Sequence, residues 1–248
     1  MILCGGSVFA RSWGPPSGPT ILCWHGAGGS AADYAEIGPE LASRLGARVV
    51  AIDAPGHAQS PARPAEALRP TALATLATEV LDELDVRQAI FVGFSWGATV
   101  GCWLAALHPE RIVALVLIEG GHVDFVDLPD FQIDRTLDEL IGDAQAVAER
   151  EGATFGSHIP AIAGAMIHGL CREPSRAAYP RLAAAGTPIL FVGSRHDEPS
   201  AFVERLGSLV PQCEITQLSS SDHELLREAP AAVSRAVGDW LAGLLPSS

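Results

Sequence analysis

The residues with chemical potential in this chain are a serine, a histidine and a set of carboxylates. Ser95 stands in Gly93-Phe94-Ser95-Trp96-Gly97, directly after an apolar run at 90–92 and directly before an apolar helix-spaced stretch that stops at Pro109. A G-x-S-x-G placed between a strand and a helix reads as a sharp turn that lifts the serine hydroxyl above a sheet. Glycines two positions to either side let neighbouring backbones approach. The N–H of the next residue, Trp96, then lies at a helix N-terminus, where it can stabilise developing negative charge.

A serine hydroxyl is a weak nucleophile near neutral pH and needs a base, and the base needs an orienting carboxylate. Of the eight histidines, His223 is the candidate base, because it follows the last strand-like run, Cys213–Leu218, at the same sheet edge as Ser95. His25, His57 and His108 read as structural, and His122, His158 and His168 as solvent-facing or packing residues of a helical insertion. Asp197, just past the run at 188–192, is the favoured acid. Glu119, at the end of the run Ile112–Ile118, Glu198 and Asp222 are the alternatives. The chain order Ser95, Asp197, His223 is nucleophile, acid, base. A second oxyanion donor is expected in His25-Gly26-Ala27-Gly28-Gly29, with Ala27 as the donor. The same loop lacks the G-K-[ST] or G-x-G-x-x-G of a phosphate cradle. Gly26, Phe94 and His196 are the expected substrate-binding residues.

These residues need a scaffold that brings strand ends together. Short Val/Ile/Leu runs (Thr20–Trp24, Arg48–Ile52, 90–92, Ile112–Ile118, 188–192, Cys213–Leu218) alternate with helix-period stretches such as Leu73, Leu76, Val80 and Leu84. Continuously apolar strands imply burial on both faces, hence an α/β fold with a mostly parallel central sheet covered by helices on both faces. From 121 to 185 no strand pattern appears. Helix-like patches there predict a small helical cap, or lid, leaving a core domain of 1–120 and 186–248.

Composition bounds the rest. The chain has 248 residues, 48% of them hydrophobic, with a formal net charge of −13 and no lysine. Such acidity disfavours nucleic acid and anionic membranes as partners. Five cysteines without a C-x-x-C pair fit a reduced, cytoplasmic setting. No basic leader precedes an apolar stretch at the N-terminus, and no run has the length of a membrane span. No metal or cofactor motif is present, and the expected partner is a small-molecule acyl substrate.

Taken together, the motifs resemble the α/β-hydrolase superfamily over nearly the whole chain. His25-Gly26-Ala27-Gly28-Gly29 is similar to its H-G-x-G loop. Asp53-Ala54-Pro55-Gly56-His57-Ala58-Gln59-Ser60 resembles its D-x-P-G-H-G-x-S turn, with Ala58 in place of glycine. His223, Glu228 and Pro230 resemble its H-x-x-x-x-E-x-P ending. The resemblance implies a Ser95, Asp197, His223 triad, oxyanion donors at Trp96 and Ala27, and turn-forming roles for Asp53, His57 and Ser60. Asp197 follows Gly193 by one residue more than the family's G-x-x-D. Relatives acting on haloalkanes and epoxides carry Asp at the elbow, so Ser95 points to ester, lactone or thioester hydrolysis. Carbon–carbon bond hydrolysis, perhydrolysis and amide cleavage use the same residues, and a non-catalytic ligand-binding protein on this fold is the alternative of a different class.

Overall fold

The computed structural model describes residues 1–122, 134–152, 159–194, 201–219 and 223–245. Eight strands form one sheet: β1 (Ile2–Leu3), β2 (Val8–Trp13), β3 (Thr20–Trp24), β4 (Arg48–Ile52), β5 (Ala89–Phe94), β6 (Ile112–Ile118), β7 (Ile189–Ser194) and β8 (Cys213–Leu218). Their order is β1-β2-β4-β3-β5-β6-β7-β8, with β1–β2 and β2–β4 antiparallel and the other pairs parallel. The mostly parallel α/β sheet read from the sequence is therefore present. The antiparallel edge was not legible, since β2 (VFARSW) carries Arg11 and Ser12 exposed and lacks the apolar run of a buried strand.

Alternate side chains along each central strand feed two cores. Ile21, Cys23, Val49 and Ala51 point to one face, covered by Ile37 and Leu41 of α1 (Ile37–Leu45) and by Val233, Val237 and Leu241 of α9 (Pro230–Leu244). Leu22, Trp24, Val50 and Ile52 point to the other face. There Leu73, Leu76 and Val80 of α2 (Pro70–Glu83) and Val100 and Leu104 of α3 (Trp96–Leu107) pack on them. Tyr34, which has helical spacing with Ile37, belongs instead to a separate 3₁₀ turn, Ala31–Tyr34, capped by Ser30.

Between β6 and β7 lie α4 (Leu137–Glu151), α5 (Pro160–Arg172) and α6 (Tyr179–Ala185), with no strand among the described residues of this stretch. The helices divide into two sets. α4 and α5 pack on each other so closely that a Cβ at Gly164 would lie 2.7 Å from the backbone N of Ile141. α6 packs on α3 as the crossover helix to β7 and buries Tyr179 and Leu182 in the core cluster to which α5 also contributes Ile162, Ala165, Met166 and Leu170. The end of α5 is tied down by Glu173, which is 7% exposed. Its carboxylate accepts from Arg69 Nε at 2.7 Å and Thr71 N–H at 2.8 Å, and its carbonyl accepts from Trp103 Nε1–H at 3.0 Å. At the other end of α5, Ile162 packs on Gly56 in the turn that carries His57.

The remaining helices are α7 (Ala201–Leu209), which packs on β8, and the single turn α8 (Leu225–Glu228) after His223. None of the described helices is long and apolar enough to cross a membrane.

Candidate active site

Three strand exits meet at one point. At the end of β5 the chain turns into α3 through Ser95, whose backbone is left-handed (φ 51°, ψ −113°). A non-glycine residue at positive φ is uncommon and is held there only by its surroundings. Ser95 N–H donates to the Ile118 carbonyl at 2.8 Å, and the Ser95 carbonyl accepts from Ala98 N–H at 3.0 Å. The flanking glycines are required by proximity: a Cβ at Gly93 would lie 2.4 Å from the Gly97 carbonyl oxygen, and one at Gly97 would lie 2.3 Å from that of Trp24.

His223 sits in the loop after β8, with Nε2 2.9 Å from Ser95 Oγ. Its ring leans on the buried Phe94 ring at 5.4 Å. On its other side Nδ1 lies 3.5 Å from Glu119 Oε2. That separation is long for a hydrogen bond and is of the kind that tightens when a site is occupied. The imidazole is half-exposed (53%) while the carboxylate is 9% exposed, so Glu119 is shielded and His223 reaches the surface.

Glu119 follows β6 and is itself left-handed (φ 47°). Its N–H donates to the Val192 carbonyl at 3.0 Å, and its Oε1 accepts the backbone N–H of Ser194 at the end of β7. Burial pushes the carboxyl pKa up, but the facing His223 imidazole and the hydrogen bonding of Ser194 outweigh it, and the net displacement is downward. Glu119 is thus held as a carboxylate. His122, three residues on, is buried edge-on against Phe191 at 4.7 Å. Burial pushes its pKa down, against the pull of Glu119, and keeps it neutral.

The loop that begins at His25 closes the site from β3. A Cβ at Gly26 would come within 3.2 Å of Ser95 Cβ, so the loop runs beside Ser95. His25 is fully buried and bonded at both nitrogens: Nδ1–H donates to the Gly26 carbonyl at 2.6 Å, and Nε2 accepts from Ala54 N–H at 2.9 Å. Desolvation, with His57 adding to it, pushes its pKa down to about 3. Asp53 Oδ1 accepts from Ala31 N–H at 2.7 Å and Oδ2 from Gln59 N–H at 3.0 Å, and Ser60 Oγ–H donates to the Asp53 carbonyl at 2.6 Å. His57 is buried and stacks on Trp96 at 5.4 Å. The sequence reading of Asp53, His57, Ser60 and His25 as structural holds in these bonds. His108 lies 3.9 Å from Glu110 far along α3's end, and His168 accepts from Arg172 Nε at 2.8 Å on an exposed face.

Ser95, His223, Trp96, Gly26 and Phe94 thus fall in one neighbourhood, and Ala27 is the residue after Gly26 in the same loop. Asp197, His196 and Glu198 lie outside the described residues, as does Asp222. Glu119 is the described carboxylate against His223, and sequence reasoning ranked it second. His122 was expected to face solvent or to pack, and it packs on Phe191 of β7. Ser194 and Gly120 were not singled out; the Glu119-Gly120-Gly121 triplet after an apolar strand was the available signal of a close-packed turn. Cysteine offers no competing nucleophile here. Four of the five thiols are buried, and burial raises that of Cys213 to about 12 and, with Glu83, that of half-buried Cys4 to about 11. Among the described residues no cluster of three His, Cys, Asp or Glu could hold a metal ion.

The comparisons with known proteins agree with this architecture. The family model described as alpha/beta hydrolase fold matches residues 19–177. A putative non-heme haloperoxidase of Mycobacterium phage D29 is 30% identical over 205 residues, 77% of this chain and 72% of that protein. The 2-hydroxymuconate semialdehyde hydrolase of Pseudomonas sp. (strain CF600) is 37% identical over 110 residues, which are 44% of this chain and 35% of that protein. Among solved structures, the enol-lactonase from Burkholderia xenovorans LB400 superposes with a TM-score of 0.75 at 19% identity, covering 95% of this chain and 96% of that one. The chain belongs to the α/β-hydrolase-fold family and is a hydrolase of that fold.

Proposed function

We propose that the protein is a serine hydrolase that cleaves a small carboxylic ester, lactone or thioester through an acyl-enzyme, with Ser95 as nucleophile, His223 as base and Glu119 as the orienting acid. The observation that carries this reading is the pair of contacts made by one imidazole: Nε2 at 2.9 Å from Ser95 Oγ and Nδ1 at 3.5 Å from Glu119 Oε2. Glu119 takes the part for which the sequence favoured Asp197. It is supported by its shielding, its charge and its place on Nδ1.

In this reading Glu119 holds the proton on His223 Nδ1, leaving Nε2 free to accept the Ser95 hydroxyl proton as Oγ attacks the acyl carbon. The resulting oxyanion is received by the backbone N–H groups of Trp96 and Ala27. The imidazolium then gives its proton to the departing alcohol or thiol. Water repeats the sequence in reverse roles and releases the acid. The strained backbone at Ser95 and Glu119 favours an enzyme over a passive binding protein, because such conformations are maintained where geometry serves chemistry. The mutually packed pair α4–α5 serves as the cap, narrower than 121–185, since α6 packs on α3 as the crossover helix to β7.

A panel of p-nitrophenyl esters, thioesters and lactones, each with short and long acyl chains, tests the class. Turnover of at least one of these, abolished in Ser95→Ala, is expected. The relative named as a semialdehyde hydrolase makes a ring-fission dienone the additional substrate to assay. Turnover of the dienone alone would move the assignment to carbon–carbon hydrolysis, and turnover of none would overturn the acyl-transfer reading.

A further inference from the structure

Gly120, at the exit of β6, has a close neighbour that the proposed chemistry depends on. A Cβ built there would lie 2.1 Å from the Ser95 carbonyl oxygen and 2.7 Å from the Ser95 C and Cα atoms. Gly120 is not among the residues with left-handed φ. Its glycine is therefore demanded by this approach, not by its own backbone conformation. The Ser95 carbonyl is one end of a peptide unit whose other end is the Trp96 N–H. Because that unit is planar, the position of the oxygen fixes the direction of the N–H.

Three further contacts hold this plane and the segments on either side of it. The Ser95 carbonyl accepts from Ala98 N–H at 3.0 Å, and Ser95 N–H donates to Ile118 at 2.8 Å. The segment beneath is anchored where the buried Tyr179 hydroxyl donates to the Gly121 carbonyl at 2.5 Å. We propose that Gly120 is a positioning residue that aims the Trp96 N–H at the oxyanion: its bare Cα is the surface on which the Ser95–Trp96 peptide rests. The donor at the start of α3 is thereby set from β6, the strand that also delivers Glu119. One strand exit adjusts both the acid and the oxyanion donor. This rests on the reading of Ser95 as nucleophile and Trp96 N–H as donor.

An alanine at 120 must displace the Ser95 oxygen by roughly 1 Å to restore ordinary contact, which tilts the N–H away from its target. The test is Gly120→Ala, followed by p-nitrophenyl acetate kinetics and by inhibition with phenylboronic acid, whose serine adduct is tetrahedral like the reaction intermediate. Losing one oxyanion donor costs on the order of 10²–10³ in kcat. The expected result is a fall in kcat of about 10²-fold with KM nearly unchanged and weaker boronate inhibition in proportion. The pH at which kcat/KM falls on the acid side stays where it is. A folded Gly120→Ala protein with wild-type kcat/KM overturns the inference. So does a loss of activity with boronate affinity unchanged, or one accompanied by a displaced acid limb, since either would place the damage at Glu119–His223. Tyr179→Phe releases the same segment more gently and guards against a Gly120→Ala chain that does not fold. It is expected to give the same pattern at several-fold scale, and unchanged kcat/KM and boronate inhibition in that variant would equally overturn the inference. Activity retained by Ser95→Ala would instead remove the functional reading itself.

Discussion

Replacing Glu119 with Gln tests the assignment of the acid in a way the geometry makes specific. The substitution preserves shape, and the amide oxygen can still accept the Ser194 N–H that Oε1 accepts now. The amide nitrogen is then left facing His223 Nδ1 at the position held by Oε2, 3.5 Å away. An NH₂ group there donates, so it favours the imidazole tautomer with a bare Nδ1 and a protonated Nε2. That tautomer turns an N–H toward Ser95 Oγ and cannot accept its proton. The corresponding acid-to-amide change in a serine triad costs on the order of 10⁴ in kcat, equivalent to about 5 kcal/mol of transition-state stabilisation. Steady-state kinetics on p-nitrophenyl acetate, with circular dichroism to confirm folding, measures it. Asp197→Asn, compared in the same assay, is expected to cost a few-fold. A Glu119→Gln protein within about tenfold of wild type, set against that 10⁴ expectation, beside a severely impaired Asp197→Asn, would return the role to Asp197. If both are severe, a double mutant no worse than either single one would show that they act as a unit.

Two other expectations concern stability. His25 has its pKa pushed down to about 3 in the folded protein, against an ordinary value of 6.5. The unfolded chain therefore takes up this proton first as pH falls, and stability is lost progressively from pH 6.5 toward 3, by at most roughly 5 kcal/mol. The downward displacement of His122 acts with the same sign. That of Glu119 does too, since its contribution is present above the ordinary carboxylate value and disappears as pH falls through its lowered one. Urea midpoints between pH 8 and pH 4 should fall steadily on the acid side; a constant midpoint below pH 6 contradicts the buried neutral histidines. Glu173→Gln removes the charge that Arg69 and the Thr71 N–H share. It should cost about 2 kcal/mol, lowering Tm by roughly 4–8 °C, and hydrogen exchange should rise across α5 more than across α6. Equal exchange in both helices would refute the division of this insertion into cap and core.

The parts of the fold that were legible in the sequence are those where burial is two-sided. β3, β4 and β6 read as unbroken apolar runs because helices cover both faces, and their ends fell where they were expected. β2 escaped notice because it lies toward the sheet edge with only Val8 and Ala10 buried, so its residues carry little hydrophobic pattern. The sequence singled out Ser95 and His223 through a strained turn and a post-strand loop, and the fold brings the two within 2.9 Å. Which carboxylate among the described residues faces His223 was not legible. Glu119 and Asp197 both follow a β-strand at the same edge, and nothing local distinguishes them. What favours Glu119 is the Ser194 N–H and the left-handed turn at 119, features that come from a neighbouring strand and a backbone angle. For His122 the sequence left solvent exposure and packing both open, and the contact with Phe191 on β7, made across the sheet, buries it.

The central claim is that Ser95 becomes acylated with His223 as its base. Incubation with a fluorophosphonate followed by peptide mass spectrometry reads this directly, with Ser95→Ala and His223→Ala as comparisons. The account predicts one stoichiometric adduct on Ser95 of the wild-type protein, none on Ser95→Ala, and labelling slowed by orders of magnitude in His223→Ala, in keeping with the interdependence of triad members. An adduct on another residue, or labelling of Ser95 at the same rate without His223, would contradict it.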